Sequence, residues 1–249
     1  MIIIKSHDEL RRISHASKIV AEVLELLKEF IVPGVTTRDI ELFADEIIKR
    51  RGGTATFKGY KGYPASLCAS VNEEVVHGIP SKKKVLKEGD VVKIDVGVTK
   101  NGFIGDAARS YPVGKISESA AKLLRVTEES LSLGIEKACR DNRVFDISHS
   151  IQRHVEEHGY SVVRAFVGHG VGRDLHEEPP IPNYGPPGKG PRLKCGMVLA
   201  IEPMINSGGH EVRILDDGWT AVTKDGNLSA HFEHTVAVTD KGPQILTIL

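Results

Sequence analysis

Four acidic residues lie in apolar segments of the sequence, where hydrophobic residues would be expected. Asp95 lies in IDV and Glu202 in IEP, while Asp106 and Glu233 lie in GDAAR and FEHTVAV. A buried carboxylate is costly unless a cation, a hydrogen-bonding partner or a proton compensates it. An arginine near the strand end would be a sufficient partner for any one of these acids. If all four converge in the fold, they predict a site for divalent metal ions.

The stretch VGHGVGRDLHEEPP, residues 167–180, combines glycines with histidines. A dinucleotide-binding GxGxxG starting at Gly168 would need glycine where arginine stands, and a zinc-peptidase HExxH starting at His176 would need histidine where proline stands. We predict that His169 supplies an imidazole ligand, with Gly168 and Gly170 allowing backbone and substrate to approach. Capping of a turn would also explain this histidine. One imidazole with four carboxylates suits two divalent ions better than one structural zinc.

The elements that would position these residues are predicted from capping and periodicity. Ser6 and Glu9 have the S-x-x-E form of a capping box, and apolar residues at helical spacing continue from there to the stop at Pro33. A second helix is expected over 37–51. Strand-like runs follow at 91–98 and 103–111.

The dipeptide Asn101-Gly102 between the two strand-like runs is the strongest short signal for a two-residue hairpin turn. Such a turn places Gly97 opposite Asp106, so that Asp95 shares a face of the hairpin with Asp106. The two acids would then be diagonal neighbours, about 7–8 Å apart at the backbone. This separation is too long for direct contact and suits a metal held between them.

The second half of the chain repeats this order of elements. At an offset of 107 residues, GDVVKID (89–95) aligns with GMVLAIE (196–202), so that Asp95 corresponds to Glu202. Asp106 and Glu233 likewise lie in the second strand of each half. The expected fold class is α+β, a single catalytic domain over 1–249 built of duplicated helix-helix-strand-strand halves, about 1–112 and 113–249. The second-half elements are expected at 117–140, 146–158, 197–205 and 232–238, with a loop at 183–192.

The composition argues against membrane or nucleic-acid partners. The 33 basic residues balance 33 acidic ones, so no global field favours either partner. Three scattered cysteines are too few for a disulfide framework, which fits a reducing compartment. The apolar run at the N-terminus is too short for a signal peptide or a membrane span. We therefore expect a cytoplasmic protein.

The segments IDVG, GDAAR, GHGVGRDLHEEP, IEPMI and FEHTVAV contain all five candidate ligands. Together they resemble the type I methionine aminopeptidases, over essentially the whole chain. The resemblance implies the duplicated pita-bread fold and two divalent metal ions, with Co, Mn, Fe or Zn all compatible. The implied ligands are Asp95 on one ion, His169 and Glu202 on the other, and Asp106 and Glu233 bridging both. A monovalent-cation site is also implied, to which Asn72 and Ser229 would belong.

The resemblance further implies removal of the N-terminal methionine from nascent proteins and peptides whose second residue is small. In this family a metal-activated water attacks the peptide carbonyl, and Glu202 matches the general base. His77 and His176 match two substrate-side histidines. Leu175 and Phe57 replace phenylalanine and cysteine of some relatives, which affects pocket shape rather than chemistry. The implied methionine pocket contains Tyr60, Tyr63, Cys68, Leu175 and Trp219. The expected partners are nascent peptides and, transiently, the ribosome, with the protein a monomer.

Two other functions are compatible with the same fold. A proline-directed aminopeptidase or prolidase would share the five ligands, but such relatives usually carry an additional N-terminal domain, whereas here the first ligand is already Asp95. A catalytically inactive member that binds a ribosome, RNA or protein partner would be marked by lost ligands. No ligand is lost, which also disfavours creatinase-like members that do not use the metals.

Overall fold

The helices of the computed structural model, which describes all 249 residues, follow the predicted capping signals. Helix α1 begins after Ser6, whose Oγ accepts the Glu9 N–H at 3.3 Å, while the Glu9 carboxylate accepts the Ser6 N–H at 3.0 Å. This capping box satisfies amides that the first turn of a helix leaves free. The α-helices are α1 (His7–Phe30), α2 (Thr37–Arg50), α3 (Glu118–Glu136) and α4 (Val144–Glu157).

Helix α4 has the bounds of α2 shifted by 107 residues, the offset of the sequence repeat. In both helices an aspartate of the first turn accepts the N–H of the N-cap residue, Asp39 in α2 and Asp146 in α4. The division into two halves stays our interpretation of this repeat. Helix α3 is shorter than the predicted 117–140. The Lys137 and Ala138 amides bond to carbonyls three residues back, and this tighter turn ends the helix.

The strands form four sheets, which confirms the α+β class. One sheet has the order β1-β4-β2 with β5 paired to β4, and a second has the order β15-β14-β9-β7-β8. Two three-stranded sheets have the orders β13-β10-β6 and β11-β12-β3. Helices α1 and α2 share one buried core with β4 and β5, while α3 and α4 share another with β9 and β14. The strands are β1 (Thr54–Ala55), β2 (Cys68–Val71), β3 (Glu74–Val76), β4 (Val91–Lys100), β5 (Phe103–Pro112), β6 (Ser161–Val162), β7 (Gly168–Gly170), β8 (Glu177–Ile181), β9 (Val198–Ile201), β10 (Met204–Asn206), β11 (Val212–Ile214), β12 (Ala221–Thr223), β13 (Ser229–His231), β14 (His234–Thr239) and β15 (Gly242–Ile245).

The β4–β5 hairpin has the predicted register. Gly97 lies opposite Asp106, and Asp95 lies opposite Ala108, two positions along the ladder. The turn residue Asn101 has a φ of 51°, in the left-handed region, and the glycine after it has a φ of 75°. Positive φ at both central residues is the requirement of the tight turn that joins two strands without splaying them. The hairpin therefore holds Asp95 and Asp106 on one face.

Two strands that the sequence predicts as continuous are interrupted in the structure. The predicted strand 197–205 breaks between β9 and β10 at Glu202, and the predicted strand 232–238 begins only after Glu233. Pro203 has no N–H to give to a strand ladder, which accounts for the first break. Because β9 pairs with β14 and β10 with β13, the two breaks face each other. Both glutamates therefore project from irregular backbone rather than from a flat sheet.

Side-chain hydroxyl groups join β5 to β13 and β14, across the line where the sheets meet. Thr235 Oγ1 donates to the Asp106 carbonyl at 2.7 Å and accepts the Asp106 N–H at 3.1 Å. Ser110 Oγ makes the same pair of bonds with the backbone of His231, at 2.8 and 3.0 Å. A hydroxyl can both donate and accept, so it replaces a missing ladder partner. This seam fixes the three sheets that contain β5, β13 and β14 against one another beside Asp106.

Gly105, directly before Asp106, is the point of closest approach between β5 and helix α1. A Cβ on this glycine would lie closer than 3.0 Å to Ser17 N and Cα. We expect Gly105→Ala to destabilise the fold by about 1–3 kcal/mol through overpacking, which lowers the unfolding temperature by roughly 2 °C or more for a chain of this size. The matched control is Gly209→Ala, where the nearest atom is Asp225 Oδ2 at 3.7 Å. Equal unfolding temperatures for the two variants would contradict the proposed close packing.

Candidate metal centre

A cavity of about 250 Å³ lies where β4, β5 and β7 meet the two strand breaks. All five predicted ligands and all seven predicted substrate-side residues line it. Its lining consists of Phe57, Tyr60, Lys61, Tyr63, Cys68, His77, Asp95, Asp106, His169, Leu175, His176, Glu202, Trp219 and Glu233. A larger, open hollow of about 620 Å³ beside α3 and α4 has one hydrophobic lining residue and contains none of the predicted residues.

The ligand atoms of Asp106, His169 and Glu233 lie within 4.8 Å of one another, and all three residues are buried. The two remaining acids adjoin this group. His169 Nε2 lies 3.5 Å from Glu202 Oε1 and 3.9 Å from Asp106 Oδ2. Asp95, on β4, faces the same cavity from its other side. The structure thus brings together all five residues that the sequence nominated as ligands.

The four carboxyl groups are held in surroundings that disfavour their charged forms. Burial raises the pKa of Asp95 to about 7 and that of Glu202 to about 8. For Asp106 and Glu233, burial and the neighbouring carboxylates raise the pKa well above the usual value. Oxygen atoms of three of these groups are buried without any hydrogen-bond partner. Orphaned, mutually repelling oxygens beside an imidazole are the donor set that divalent cations fit.

His169 is held in the protonation state that a metal ligand needs. Its Nδ1 lies 3.0 Å from the Gly170 carbonyl oxygen, so Nδ1 carries the hydrogen and the Nε2 lone pair faces the acids. Burial lowers the pKa of His169 to about 3, which keeps the ring neutral. This histidine lies in strand β7 and does not cap a turn. The alternative explanation of its role is therefore wrong.

The glycines on either side of His169 serve strand packing rather than substrate approach. A Cβ on Gly168 would lie closer than 3.0 Å to the Ala200 carbonyl oxygen, and one on Gly170 would meet the Glu178 carbonyl equally closely. Neither glycine lines the cavity. The expectation that they let substrate come close is therefore wrong. They allow β7 to fit between β8 and β9, so that the imidazole reaches the acids.

The two histidines predicted to lie on the substrate side both line the cavity. His176 Nδ1 is 2.8 Å from the Tyr60 hydroxyl, and the His176 ring centroid is 4.3 Å from that of His169. His77 has a left-handed φ of 61° and contacts Trp219 edge to face, with the centroids 6.5 Å apart. Burial lowers the pKa of His77 to about 4 and also lowers that of His176. Both rings are neutral at physiological pH.

Aromatic and apolar side chains form the far wall of the cavity, as predicted for a methionine pocket. The ring centroids of Tyr63 and Trp219 lie 5.1 Å apart, edge to face. The Tyr63 hydroxyl is anchored by the carbonyl oxygens of Leu67 and Gly78, at 3.2 and 3.1 Å. Its ring therefore has a fixed orientation. Phe57 also lines the cavity and keeps this part of its lining apolar.

The sequence does not single out two residues of this site. His231 is 1% exposed, and its Nε2 lies 3.4 Å from Glu202 Oε2. Burial lowers the pKa of His231 to about 4. Lys61 lies at the mouth of the cavity, with Nζ 5.4 Å from the Tyr60 ring centroid, and its charge lowers the pKa of His176. The only signal for His231 in the sequence is its position two residues before Glu233. This position points to the site only when the strand break at Glu233 is known.

The two residues implied in a monovalent-cation site do meet, but their carbonyl oxygen is already in use. The Asn72 oxygen accepts the Ser229 N–H at 3.1 Å and an N–H of Lys93 Nζ at 2.7 Å. Burial lowers the pKa of Lys93 to about 7, opposed by Glu74 and then Glu73, and in either protonation state Nζ retains N–H donors for this oxygen. The residues present therefore do not fit a monovalent ion bound to the Asn72 carbonyl.

Comparison with known proteins agrees with this geometry. The family model of metallopeptidase family M24 matches residues 11–240. The chain belongs to metallopeptidase family M24. A methionine aminopeptidase of Clostridium perfringens is 57% identical over 249 residues, which cover 100% of both chains. The family is one of metallopeptidases, which implies the use of a divalent metal, and the cluster of Asp106, His169 and Glu233 could hold a metal ion.

Solved structures confirm the pita-bread fold of this M24 chain. Methionine aminopeptidase from Thermotoga maritima superposes with a TM-score of 0.99 at 50% identity, with 100% of both chains covered. Prolidase from Pyrococcus furiosus superposes with a TM-score of 0.80 at 24% identity, and the match covers 66% of that chain. The second likeness is one of fold alone. None of the four helices is long and apolar enough to cross a membrane.

Metal-free protein should lose stability as the pH rises from about 6.5 to about 8. Between about 4 and 6.5 the buried His77, His169 and His231, whose pKa values are lowered from 6.5, gain stability with rising pH and oppose the loss from the carboxyls. The buried carboxyls keep their protons to a higher pH than the ordinary 3.8 of aspartate and 4.5 of glutamate. Their stabilising contribution is therefore complete below those values and is lost as the pH passes the raised pKa values. Glu233→Gln removes one of the repelling charges and should flatten this dependence. Thermal unfolding of chelator-treated protein between pH 4 and about 8.5 measures it.

The control for this experiment is Glu211→Gln, an exposed acid paired with Lys224 at 3.2 Å. It should follow the wild-type curve, because a surface ion pair contributes little. If the metal-free Glu233→Gln variant also parallels wild type at every pH, the acids do not repel one another as described.

Proposed function

We propose that this chain is a hydrolase, a metal-dependent aminopeptidase that removes an N-terminal methionine when the second residue is small. The observation that carries the proposal is the single cavity in which a buried carboxylate–imidazole cluster adjoins an aromatic and apolar wall. The carboxylate–imidazole cluster suits metal-assisted hydrolysis. The aromatic and apolar wall suits a thioether side chain, which makes favourable contacts with aromatic rings. The identity with proteins named methionine aminopeptidase supports the same function.

The carboxylate–imidazole cluster would hold two divalent ions, with Co, Mn, Fe or Zn compatible with its donors. When bound, such ions lower the pKa of water and polarise a carbonyl group. The residues that would hold these ions are Asp95, Asp106, His169, Glu202 and Glu233. The closeness of Asp106, His169 and Glu233 supports a common site for them.

Glu202 is the residue that we assign to proton transfer. Burial raises the pKa of its carboxyl to about 8 in the metal-free chain, and a carboxyl group that lines the cavity can exchange a proton with water or substrate there, as general base catalysis requires. His231 Nε2 contacts its Oε2 at 3.4 Å, and Asn183 Nδ2 donates to its backbone oxygen at 3.0 Å. The Asn183 bond fixes the backbone that carries the Glu202 carboxyl, which we assign to take a proton from the attacking water. The same group then returns the proton to the departing amine.

His176 is the residue that we assign to the carbonyl oxygen of the bond being cut. In the tautomer that this role requires, Nε2 carries the hydrogen and donates to the oxygen as negative charge develops there, while Nδ1 accepts the O–H of Tyr60, 2.8 Å away. His77, which also lines the cavity and is neutral, would contact the amide of the same bond. The two imidazoles orient the peptide without adding a charge that would repel its cationic N-terminus.

The size of the cavity supports a small second residue. Its volume of about 250 Å³ is below the 300–1,000 Å³ of usual ligand pockets, so one side chain and its adjoining backbone fill it. With methionine against Tyr63 and Trp219, the next residue lies between His77 and His176. A bulky side chain there would displace one of these rings. Steric fit at two positions thus explains selectivity for methionine followed by a small residue.

The competing functions have less support. The likeness to prolidase concerns the fold, and an inactive binding protein would not need five intact ligand positions around one cavity. We further propose that the protein acts in the cytoplasm as a monomer, on nascent chains, and contacts the ribosome only transiently. The balance of 33 basic and 33 acidic residues supports the absence of a specific nucleic-acid partner.

The substrate assignment is tested with short peptides in the presence of a divalent metal. We expect Met-Gly, Met-Ala and Met-Ser peptides to be cleaved, and Met-Lys and Met-Phe peptides to be slower by roughly 100-fold or more in kcat/KM. Chelator-treated enzyme is the control and should release no methionine. Efficient cleavage of Met-Phe peptides, or a preference for peptides that begin with proline, would contradict the assignment even if the metal site is correct.

The assignment of His176 predicts a loss of turnover without a loss of metal. His176→Ala should lower kcat by roughly 10²–10³-fold, the usual effect of removing one donor to a developing oxyanion. Its metal content, measured by elemental analysis, should equal that of wild type. The matched control is Tyr60→Phe, which keeps the ring and removes only the hydroxyl bonded to His176, and it should cost far less. A His176→Ala variant that loses metal in proportion to activity would identify His176 as a ligand.

A further inference from the structure

Lys93 is the largest side chain that the fold buries completely. It lies on β4 two residues before Asp95, and 1% of its surface is exposed. Alternate residues of a strand share a face, so the lysine leaves β4 on the same side as the Asp95 carboxylate. Lysine is almost never fully buried without a partner. The identity of that partner therefore indicates what this lysine does.

The partner of Lys93 is a backbone oxygen that also belongs to another sheet. Lys93 Nζ donates to the Asn72 carbonyl at 2.7 Å, and the same oxygen accepts the Ser229 N–H of β13 at 3.1 Å. Asn72 lies between β2 and β3 with a left-handed φ of 52°. One carbonyl oxygen thus joins the lysine of β4 to the strand that leads to His231 and Glu233.

The Asn72 carbonyl is held in place by bonds independent of the lysine. The Asn72 side-chain oxygen accepts the Val91 N–H at 2.9 Å, and its side-chain amide donates to Asp90 Oδ1 at 2.8 Å. The Asn72 N–H donates to the Val91 carbonyl at 2.8 Å. These three bonds fix the turn against the start of β4. Lys93 therefore meets an oxygen whose position is set in advance, as an ion would in a binding site.

We propose that the Lys93 amino group occupies the place of the monovalent cation that the family resemblance implies, so that this chain needs no sodium or potassium ion there. A carbonyl oxygen has two lone pairs, and Ser229 and Lys93 use both at Asn72. An ion would have to displace a donor that is covalently tethered to β4. Lys93 is then a positioning residue, because its hydrogen bond connects the Asn72 turn to β4 two residues before Asp95. This inference does not depend on which peptide the enzyme cleaves.

The test compares unfolding temperatures of the full-length chain in sodium, potassium and tetramethylammonium chloride at equal ionic strength. Tetramethylammonium is too large to enter a site opened by one side chain. Wild type should unfold at the same temperature in all three salts. Lys93→Ala leaves space beside a fixed Asn72 oxygen, so it should unfold earlier in tetramethylammonium. Sodium or potassium should then restore roughly 2 °C or more, because a ligand that binds only the folded state stabilises it.

Two further variants separate ion binding from general damage. Lys93→Met removes the donor and fills the space, so its unfolding temperature should fall equally in all three salts. Lys84→Ala breaks the nearby ion pair with Glu74, 2.6 Å long and partly exposed, and should also respond equally to the three salts. The unfolding temperatures are measured without peptide cleavage, so the outcome of this test is independent of the proposed aminopeptidase activity.

Two results would overturn the proposal. A wild-type protein stabilised selectively by sodium or potassium would show that Lys93 does not fill the site. A Lys93→Ala variant with equal unfolding temperatures in the three salts would show that no cation position lies beside the Asn72 oxygen. If Lys93→Ala does not fold, wild type and Lys93→Met are compared instead. Unfolding temperatures that are equal in the three salts for both proteins support the proposal. Selective stabilisation of either protein by sodium or potassium contradicts it.

Discussion

Asp95, Asp106, Glu202 and Glu233 bring four carboxyl groups into one cavity that is largely closed to water. Each group raises the cost of ionising the others, and burial adds to that cost. A cation removes this penalty, whereas hydrogen bonds from the protein do not reach every oxygen. The surrounding fold therefore has to hold repelling groups at fixed separations before any ion binds. The irregular parts of its backbone lie at these carboxyl groups.

The two strand breaks are the clearest of these features. A glutamate in a flat ladder points straight up or down from the sheet, whereas Glu202 and Glu233 leave the backbone at interruptions that face each other. Their carboxyl groups can then meet Asp106 from the neighbouring hairpin. The neighbouring imidazoles are neutral because they too are buried, so they add donors and acceptors without cancelling the negative charge.

Local rules predicted the parts of the structure that depend on local interactions. The turn at Asn101-Gly102 fixed the register that sets Asp95 and Asp106 on one face, and the capping box at Ser6 fixed where α1 begins. The break at Glu202 was missed because the apolar residues on both sides of Glu202 and Pro203 read as one strand, and the break at Glu233 was missed because residues 232–238 continue like a strand. Lys93 reads locally as a solvent-facing strand residue. Lys93 is buried because strands that are distant in the sequence cover it. A short window of sequence around Lys93 does not contain those strands.

The hydroxyl bridge between Thr235 and Asp106 joins residues that are 129 positions apart in the chain. Contacts of such long separation form late in folding, because a long loop must close before they can form. Helix α1 and the β4–β5 hairpin can assemble early, yet they carry only two of the four acids. Glu202 and Glu233 come much later in the sequence than Asp95 and Asp106, so the complete cluster cannot form until both have been synthesised. Before that point the hairpin does not experience the full repulsion of four carboxyl groups, and tight binding of metal is postponed until Glu233 has been added.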